Sequence, residues 1–343
     1  MTASDVRPGG SGPEKRPTMV DVARAAGVAL STVSRVVNRD PTVGADIVTR
    51  VQSAIADAGY QPDHRAQQLR RGNSGMLGAA IRGLAGGGGI MSEFQRAARE
   101  RNLMVITAAT DDDVELEQSV VTAMCGRRVD GLLIEPIGED HGYLAQEIAS
   151  GLPVVAVDRP AEGVDVDSVV SDNQGGIQIA YEHLVSHGHH RIAYIGDSER
   201  IFTGRVRAEA FRECAAAAGQ PVAGLVHPGN VDPGRIKAAI DACLDGPFPV
   251  TAIVSGNEMT TPDLLGYLGA RSLEIAVVAF DDIPMARLLR PALTVVTQGH
   301  RQIARTAFGL LMARSTDPLR PTQRIEVATT LIARGSGELT PRM

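Results

Sequence analysis

Residues 30 to 38 read LSTVSRVVN, with one arginine, one large apolar side chain and three hydroxyls at spacings that a helix sorts onto two faces. With Val33, Val36 and Val37 turned inward beside Val28, helical geometry leaves Leu30, Ser31, Ser34 and Arg35 on the opposite face. Such a face can read bases: a guanidinium grips a guanine edge with two hydrogen bonds, and a leucine offers apolar contact to a thymine methyl. A plain αα-hairpin with a solvated outer face has the same pattern, but an exposed Leu30 beside a basic face weighs against it.

A second group lies in PDHRAQQLRRGNSG, residues 62 to 75, where Leu69 points out of a polar surround with Arg65, Arg70 and Arg71 near it. The segment is too short to be a stable helix alone in water. A linker accounts for the polarity only, whereas an apolar wedge entering a minor groove accounts for the leucine and the arginines together.

A third group closes three apolar strands: VVAVD at Asp158, AIVSGN at Asn257 and VVAFD at Asp281. Polar groups at the carboxyl ends of parallel strands converge where open α/β sheets bind ligands, although each taken singly also suits ordinary end-of-strand capping.

The elements that must position these groups follow from periodicity. Thr18 and Asp21 form a capping-box variant opening a helix over 19 to 26, Gly27 supplies a turn, and helices follow over 30 to 37 and 45 to 58, the last stopped by Gly59. Three such helices with a short first turn describe a helix-turn-helix unit, and Pro62 then forces an extended break.

From Gly75 the pattern alternates: strand MLGAAI, helix 91 to 101, strand LMVITAA, helix 114 to 127, strand DGLLIEP, helix 142 to 149, strand VVAVD. A second series runs through helix 174 to 187, RIAYIGD, helix 205 to 218, a strand at 225 to 227, helix 233 to 244, AIVSGN, helix 260 to 270 and IAVVAFDD. Two parallel α/β lobes are expected, and helix 299 to 313 with one strand, RIEVATTLI, returns the chain to each, giving a hinged cleft.

A chain of 343 residues with 43% hydrophobic content is long enough for two or three cores. Its net charge of −6 is unevenly spread: Lys15 to Arg71 holds nine basic residues against five aspartates, so a basic head precedes an acidic body. The opening MTASDVRPGGSGPEKRPT has no apolar run to serve as a signal, and no stretch reaches membrane-spanning length, so a cytoplasmic, nucleoid-associated protein with a floppy arm is expected.

Cys125, Cys214 and Cys243 lack CxxC spacing, and His183, His187, His189 and His190 lack the HExxH pattern, so neither a disulfide, a metal nor a cofactor is expected. Gly86 to Gly89 lack a following Lys-Ser/Thr and read as a mobile loop rather than a phosphate cradle.

Residues 18 to 75, with DVARAAGV, TVSRVVN, GYQP and AQQL in one order and spacing, resemble the DNA-binding head and hinge of the LacI/GalR family of bacterial transcription repressors. The likeness continues through RRVDGLLIEP, LPVVAVDRP, DSVVSDNQGG, EHLVSHGHHRIAYIGD, FDDIPMARLLRPALTVV and RGSG. It implies an all-α helix-turn-helix head on an α/β two-lobed, periplasmic-binding-protein-like (type I) body. A homodimer would bind a pseudo-palindromic operator, and a small sugar- or nucleoside-like effector in the cleft would alter DNA affinity.

By that resemblance, Thr18, Met19 and Asn38 make backbone or flanking contacts, Leu30, Ser31 and Arg35 read bases, and Thr32 and Ser34 neighbour phosphates. Ala66 and Leu69 enter the minor groove. Arg207 holds the effector beside Asp158, Asn257 and Asp281, and Arg205 is its more structural neighbour.

The implied division is an arm over 1–16, a head over 17–62, a hinge over 63–74, a body over 75–336 and a tail over 337–343. One lobe takes 75–173 and 297–325, and the other takes 174–296 and 326–336. The tail has no leucine heptad, so dimers rather than tetramers are expected.

This chain departs from the family at three places. Ala29 stands where serine usually caps the reading helix, a loss of about 1 kcal/mol that Ser31 is placed to offset. Gly86 to Gly89 replace Asn-Pro-Phe-Phe, and Asn257-Glu258 replaces Asn-Asp. A cytoplasmic sugar-binding protein or an α/β enzyme with a fused helical head is the alternative, but no nucleophile elbow or paired catalytic carboxylates support catalysis.

Overall fold

The computed structural model of the chain describes residues 17–38, 40–60, 73–83, 88–229, 232–245 and 249–341. They fall into two units, one within Met1–Gly72 and the other within Asn73–Met343.

In the first unit, α1 (Met19–Ala26) begins with a reciprocal capping box: the Asp21 carboxylate accepts the Thr18 amide at 2.9 Å, and the Thr18 hydroxyl accepts the Asp21 amide at 3.4 Å. Gly27, at φ 62°, turns the chain through the left-handed region that other residues enter at a cost. Then come α2 (Leu30–Val37) and α3 (Ala45–Ala58). Val22, Val33, Val36, Val51, Ala54 and Tyr60 meet in one small core, with Val28 and Val37 partly buried at its rim. Each fully buried valine there stabilises the unit by about 1.5–3 kcal/mol, which fixes which face of α2 stays outside.

The second unit holds two six-stranded sheets. The first contains β1 (Met76–Ile81), β2 (Met104–Ala109), β3 (Leu132–Ile134), β4 (Val154–Val157), β5 (Asp167–Ser171) and, from far downstream, β11 (Arg324–Val327), in the order β11-β5-β4-β3-β1-β2. The second contains β6 (Ile192–Ile195), β7 (Val226–His227), β8 (Ala252–Ser255), β9 (Ala276–Phe280), β10 (Thr294–Thr297) and β12 (Thr330–Ile332), in the order β12-β10-β9-β8-β6-β7. All pairings are parallel except β12 against β10.

The central strands are apolar throughout because helices cover both faces. On the first sheet, α4 (Gly88–Glu100) and α11 (His300–Thr316) pack on one face, with α5 (Val114–Gly126) and α6 (Ala145–Ala149) on the other. On the second, α7 (Asn173–Ser186) and α8 (Phe202–Ala217) oppose α9 (Pro233–Leu244) and α10 (Thr260–Ala270).

Four expectations are corrected. The single strand over RIEVATTLI is two strands, because Arg324–Val327 pairs with β5 and Thr330–Ile332 with β10, so the chain crosses between sheets at Ala328 and Thr329. Two strands missing from the expected series, β5 and β10, precede the other crossings, and at five and four residues they are too short to show a period. Gly88 and Gly89 belong to α4 rather than to a loop, and a side chain at Gly89 would lie 2.6 Å from His300 Nδ1; Gly86 and Gly87 lie outside the described residues. The helix expected over 142–149 is a 3-10 turn, Gly142–Leu144, leading into the short α6.

Candidate functional site

The core of the first unit decides the outer face of α2. Val33 and Val36 are buried, whereas Leu30 is 47% exposed and Ser31 and Arg35 lie on the exposed side. Thr32 and Ser34 are half-buried, and the Asn38 side-chain amide donates to the Ser34 carbonyl at 2.8 Å, closing the end of α2. Thr18 is exposed in its capping box, while Met19 packs against the core. Ala66 and Leu69 lie outside the described residues.

At the start of α2 the backbone of Ala29 is extended and no side chain caps it. Among the described residues no hydrogen bond from the Ser31 hydroxyl offsets that loss. The helix keeps open amide donors and the positive end of its dipole there, which suits an anion.

In the second unit the carboxyl ends of both sheets meet. Asp158 and Asp281 follow β4 and β9 directly, at φ 68° and 76°, a left-handed backbone that costs an aspartate about 1 kcal/mol or more and recurs where function demands a sharp turn. Arg207, on α8, is almost wholly enclosed. Its Nε donates to Asn173 Oδ1 at 2.7 Å, its Nη1 donates to the Gly256 carbonyl at 2.8 Å, Asp281 lies 3.7 Å away, and the guanidinium stacks 3.7 Å from the Phe280 ring centre. Arg205, two residues earlier on the same helix, is exposed.

Asn257 accepts the Thr260 amide at 2.7 Å through Oδ1, and its Nδ2 is buried without a hydrogen-bond partner among the described residues. Tyr194, fully buried on β6, brings an equally unpartnered hydroxyl to the same strand ends, so close that a side chain at Gly196 or Gly256 would lie 2.3–2.4 Å from it. Glycine is required there for close approach.

Other groups at this edge escape strand-end reasoning applied to three strands only. Arg82 follows β1, Glu135 follows β3 and Asp197 closes RIAYIGD after β6; each carries the signal that singles out Asp158, an ionisable residue after an apolar strand. Gln298, after β10, has no such signal, yet it donates to Asp281 at 2.6 Å and accepts the Ser171 hydroxyl, tying the sheets together. Arg82 also spans them, 3.9 Å from Asp197 and 3.8 Å from Asp112. Burial opposes the Arg82 charge, but Asp112, Glu135, Asp158 and Asp197 around it raise its pKa.

Glu135 accepts the Arg82 amide at 3.1 Å, and burial followed by the charge of Asp158 pushes its carboxyl up to about 7. Burial and then Asp281 also raise Glu258.

The histidine cluster ties down the chain end: His183 meets Glu338 at 2.6 Å, and His189 bridges Thr251 Oγ1 at 2.9 Å and the Leu339 carbonyl at 2.7 Å. Among the described residues no three His, Cys, Asp or Glu side chains are placed to hold a metal, and no helix is long and apolar enough to cross a membrane.

Comparison with known proteins agrees with this architecture. Residues 18–63 match the family described as bacterial regulatory proteins, lacI family, and residues 181–337 match a periplasmic binding protein-like domain. The chain is 28% identical over 94% of its length to the HTH-type transcriptional regulator PtxS of Pseudomonas plecoglossicida, covering 96% of it. It is 29% identical over 93% of its length to the ribose operon repressor of Escherichia coli K12, covering 99% of it.

Among solved structures it resembles the lac repressor dimer bound to operator and the anti-inducer ONPF, with a TM-score of 0.82 and 25% identity over 94% of this chain and 99% of that one. It also resembles the transcriptional regulator CelR in complex with cellobiose, with a TM-score of 0.67 and 28% identity over 94% of this chain and all of that one.

Proposed function

The chain belongs to the LacI family of bacterial regulatory proteins and is a DNA-binding transcriptional regulator rather than an enzyme; from that premise we propose that it is a repressor that binds a pseudo-palindromic operator as a dimer. The observation that carries this reading is the exposed face of α2, where Leu30, Ser31 and Arg35 stand opposite a core closed by Val33 and Val36. In a major groove Arg35 takes a guanine edge, Leu30 a thymine methyl, and the uncapped start of α2 a backbone phosphate. Thr18, Met19, Thr32, Ser34 and Asn38 flank that contact, and Ala66 and Leu69 insert into the minor groove.

The strand-end cleft takes a small polyhydroxylated effector. Asp158, Asn257 and Asp281 supply acceptors and an amide donor, and Arg207 braces them. The effector's differential affinity for two arrangements of the lobes is the coupling that alters operator affinity. Two similar proteins support this class, one named a ribose operon repressor and one solved with cellobiose.

The test is operator selection from random DNA followed by anisotropy titration over a range of salt. We expect steep salt dependence, and Arg35→Ala should cost about 1–3 kcal/mol on the selected site while relaxing preference at one base pair. Binding that ignores sequence in the unaltered chain would sink the repressor reading.

A further inference from the structure

The first two turns of α11 border an open cavity of about 540 Å3, within the roughly 300–1,000 Å3 of small-molecule sites. Its lining includes Gln298, His300, Arg301, Gln302, Arg305 and Thr306, and among the described residues no acidic side chain lines it. The walls are mostly carbon, as happens where the aliphatic stems of long basic side chains lie along a surface.

Positive charge is in surplus here. Glu93, on α4, is the carboxylate that these arginines meet: Arg301 Nε lies 3.3 Å from its Oε1, Arg305 Nε lies 3.9 Å from its Oε2, and Arg96 also bonds Oε1. Three guanidiniums thus share one carboxylate, a surplus of two charges on an otherwise acidic body. Their donors are not used up. Neither the Arg305 guanidinium nor the His300 ring makes a hydrogen bond among the described residues, and Arg301 donates only to Glu93.

We propose that this cavity is a second small-molecule site, taking a phosphomonoester with its phosphate on Arg301, Arg305 and His300 and its carbon body along the walls. A phosphomonoester carries about −1.5 to −2 charges at neutral pH and so matches the surplus, of which a single carboxylate meets half. Guanidinium forks bind phosphate oxygens through paired, parallel hydrogen bonds. Bare phosphate would leave the carbon walls unused, and a neutral sugar would leave the charge unmet. Nucleic acid fits less well, because a duplex presents a continuous row of phosphates, whereas these arginines gather around Glu93 beside one cavity.

Gln298 gives the site a regulatory role. It lines the cavity, and its side chain donates to Asp281 at 2.6 Å and accepts the Ser171 hydroxyl, so a ligand pressed against it acts on a tie between the two sheets. That role rests on reading the chain as an operator-binding regulator, whereas the binding itself does not.

The experiment is calorimetric titration of the full chain with glucose 6-phosphate, ribose 5-phosphate and phenyl phosphate, each beside glucose, ribose or phenol, and with inorganic phosphate alone. We expect at least one ester to bind about tenfold or more tighter than both its neutral parent and inorganic phosphate. Arg301→Gln combined with Arg305→Gln should abolish that preference and leave thermal unfolding in place, while Arg271→Gln, which removes an exposed arginine from the other lobe, should leave the preference intact. Esters no tighter than their parents overturn the site, as does a preference that survives the loss of both arginines. Inorganic phosphate binding as tightly as the esters also overturns it, leaving a charged surface only. With the selected operator, the bound ester should change affinity by about fivefold or more in anisotropy titration, and an unchanged affinity overturns the regulatory role. The ester preference is measured without DNA, so its failure and the failure of the repressor reading are distinguished.

Discussion

Arg207 shows how burial changes the meaning of a side chain. In the sequence it is one arginine of TGRVRAEAF; in the fold it bonds to Asn173 on α7 and to the Gly256 carbonyl after β8, and stacks on Phe280 at the end of β9. A planar, permanently charged fork does this where a lysine cannot. Glu135 has the opposite fate, buried with too little countercharge. Its folded pKa of about 7 lies above the ordinary value of 4.5, so between those values the folded state holds a proton that the unfolded state has released. Stability is therefore greatest below 4.5, falls as pH rises through the window, and levels off above about 7. Glu135→Gln is expected to be more stable than the unaltered chain above neutrality, by roughly 1–3 kcal/mol, with the gap closing on acidification. Urea unfolding across that range measures it, and parallel pH curves for the two proteins would contradict the assignment.

At the scale of the element, α2 is an eight-residue helix held by packing more than by its ends. Its lower turn is closed by Asn38 on the Ser34 carbonyl, and its upper turn starts at Ala29 with no side-chain acceptor. Ala29 already has the extended backbone, φ −67° and ψ 150°, that a capping serine adopts. Ala29→Ser is therefore expected to stabilise the helical head by about 1 kcal/mol. Circular dichroism of thermal unfolding would show a higher midpoint for the head transition, and an unmoved midpoint would mean that the first turn is already satisfied another way. β5 and β10 make a complementary point. They are short and wholly or mostly buried, and they become strands only because neighbours on both sides pair with them.

For the whole molecule, three crossings join the lobes: after β5, after β10, and between β11 and β12. Three parallel links permit a hinge but restrict its direction, and Arg82–Asp197 and Ser171–Gln298 add polar ties that closure can strengthen or release. Such ties have the scale of an allosteric coupling, about 1–3 kcal/mol. If Leu69 is the minor-groove wedge, Leu69→Ser should weaken operator binding by tenfold or more while the thermal unfolding of the two-lobed unit stays unchanged. Equal operator affinity for the two proteins would remove the wedge.

The sequence alone determined the helical head almost to the residue, including the capping box at Thr18 and the turn at Gly27, because short-range hydrogen bonds and a 3.6-residue period are written locally. It also determined the alternation of the body and three polar strand ends, Asp158, Asn257 and Asp281, since an apolar strand closed by a polar residue is visible without its neighbours. Only the tertiary structure decided that RIEVATTLI divides between two sheets, that Arg207 is enclosed, and that Arg82 meets both Glu135 and Asp197. Those outcomes depend on pairing and electrostatics between segments roughly thirty to one hundred and sixty residues apart, distances over which no local pattern carries information.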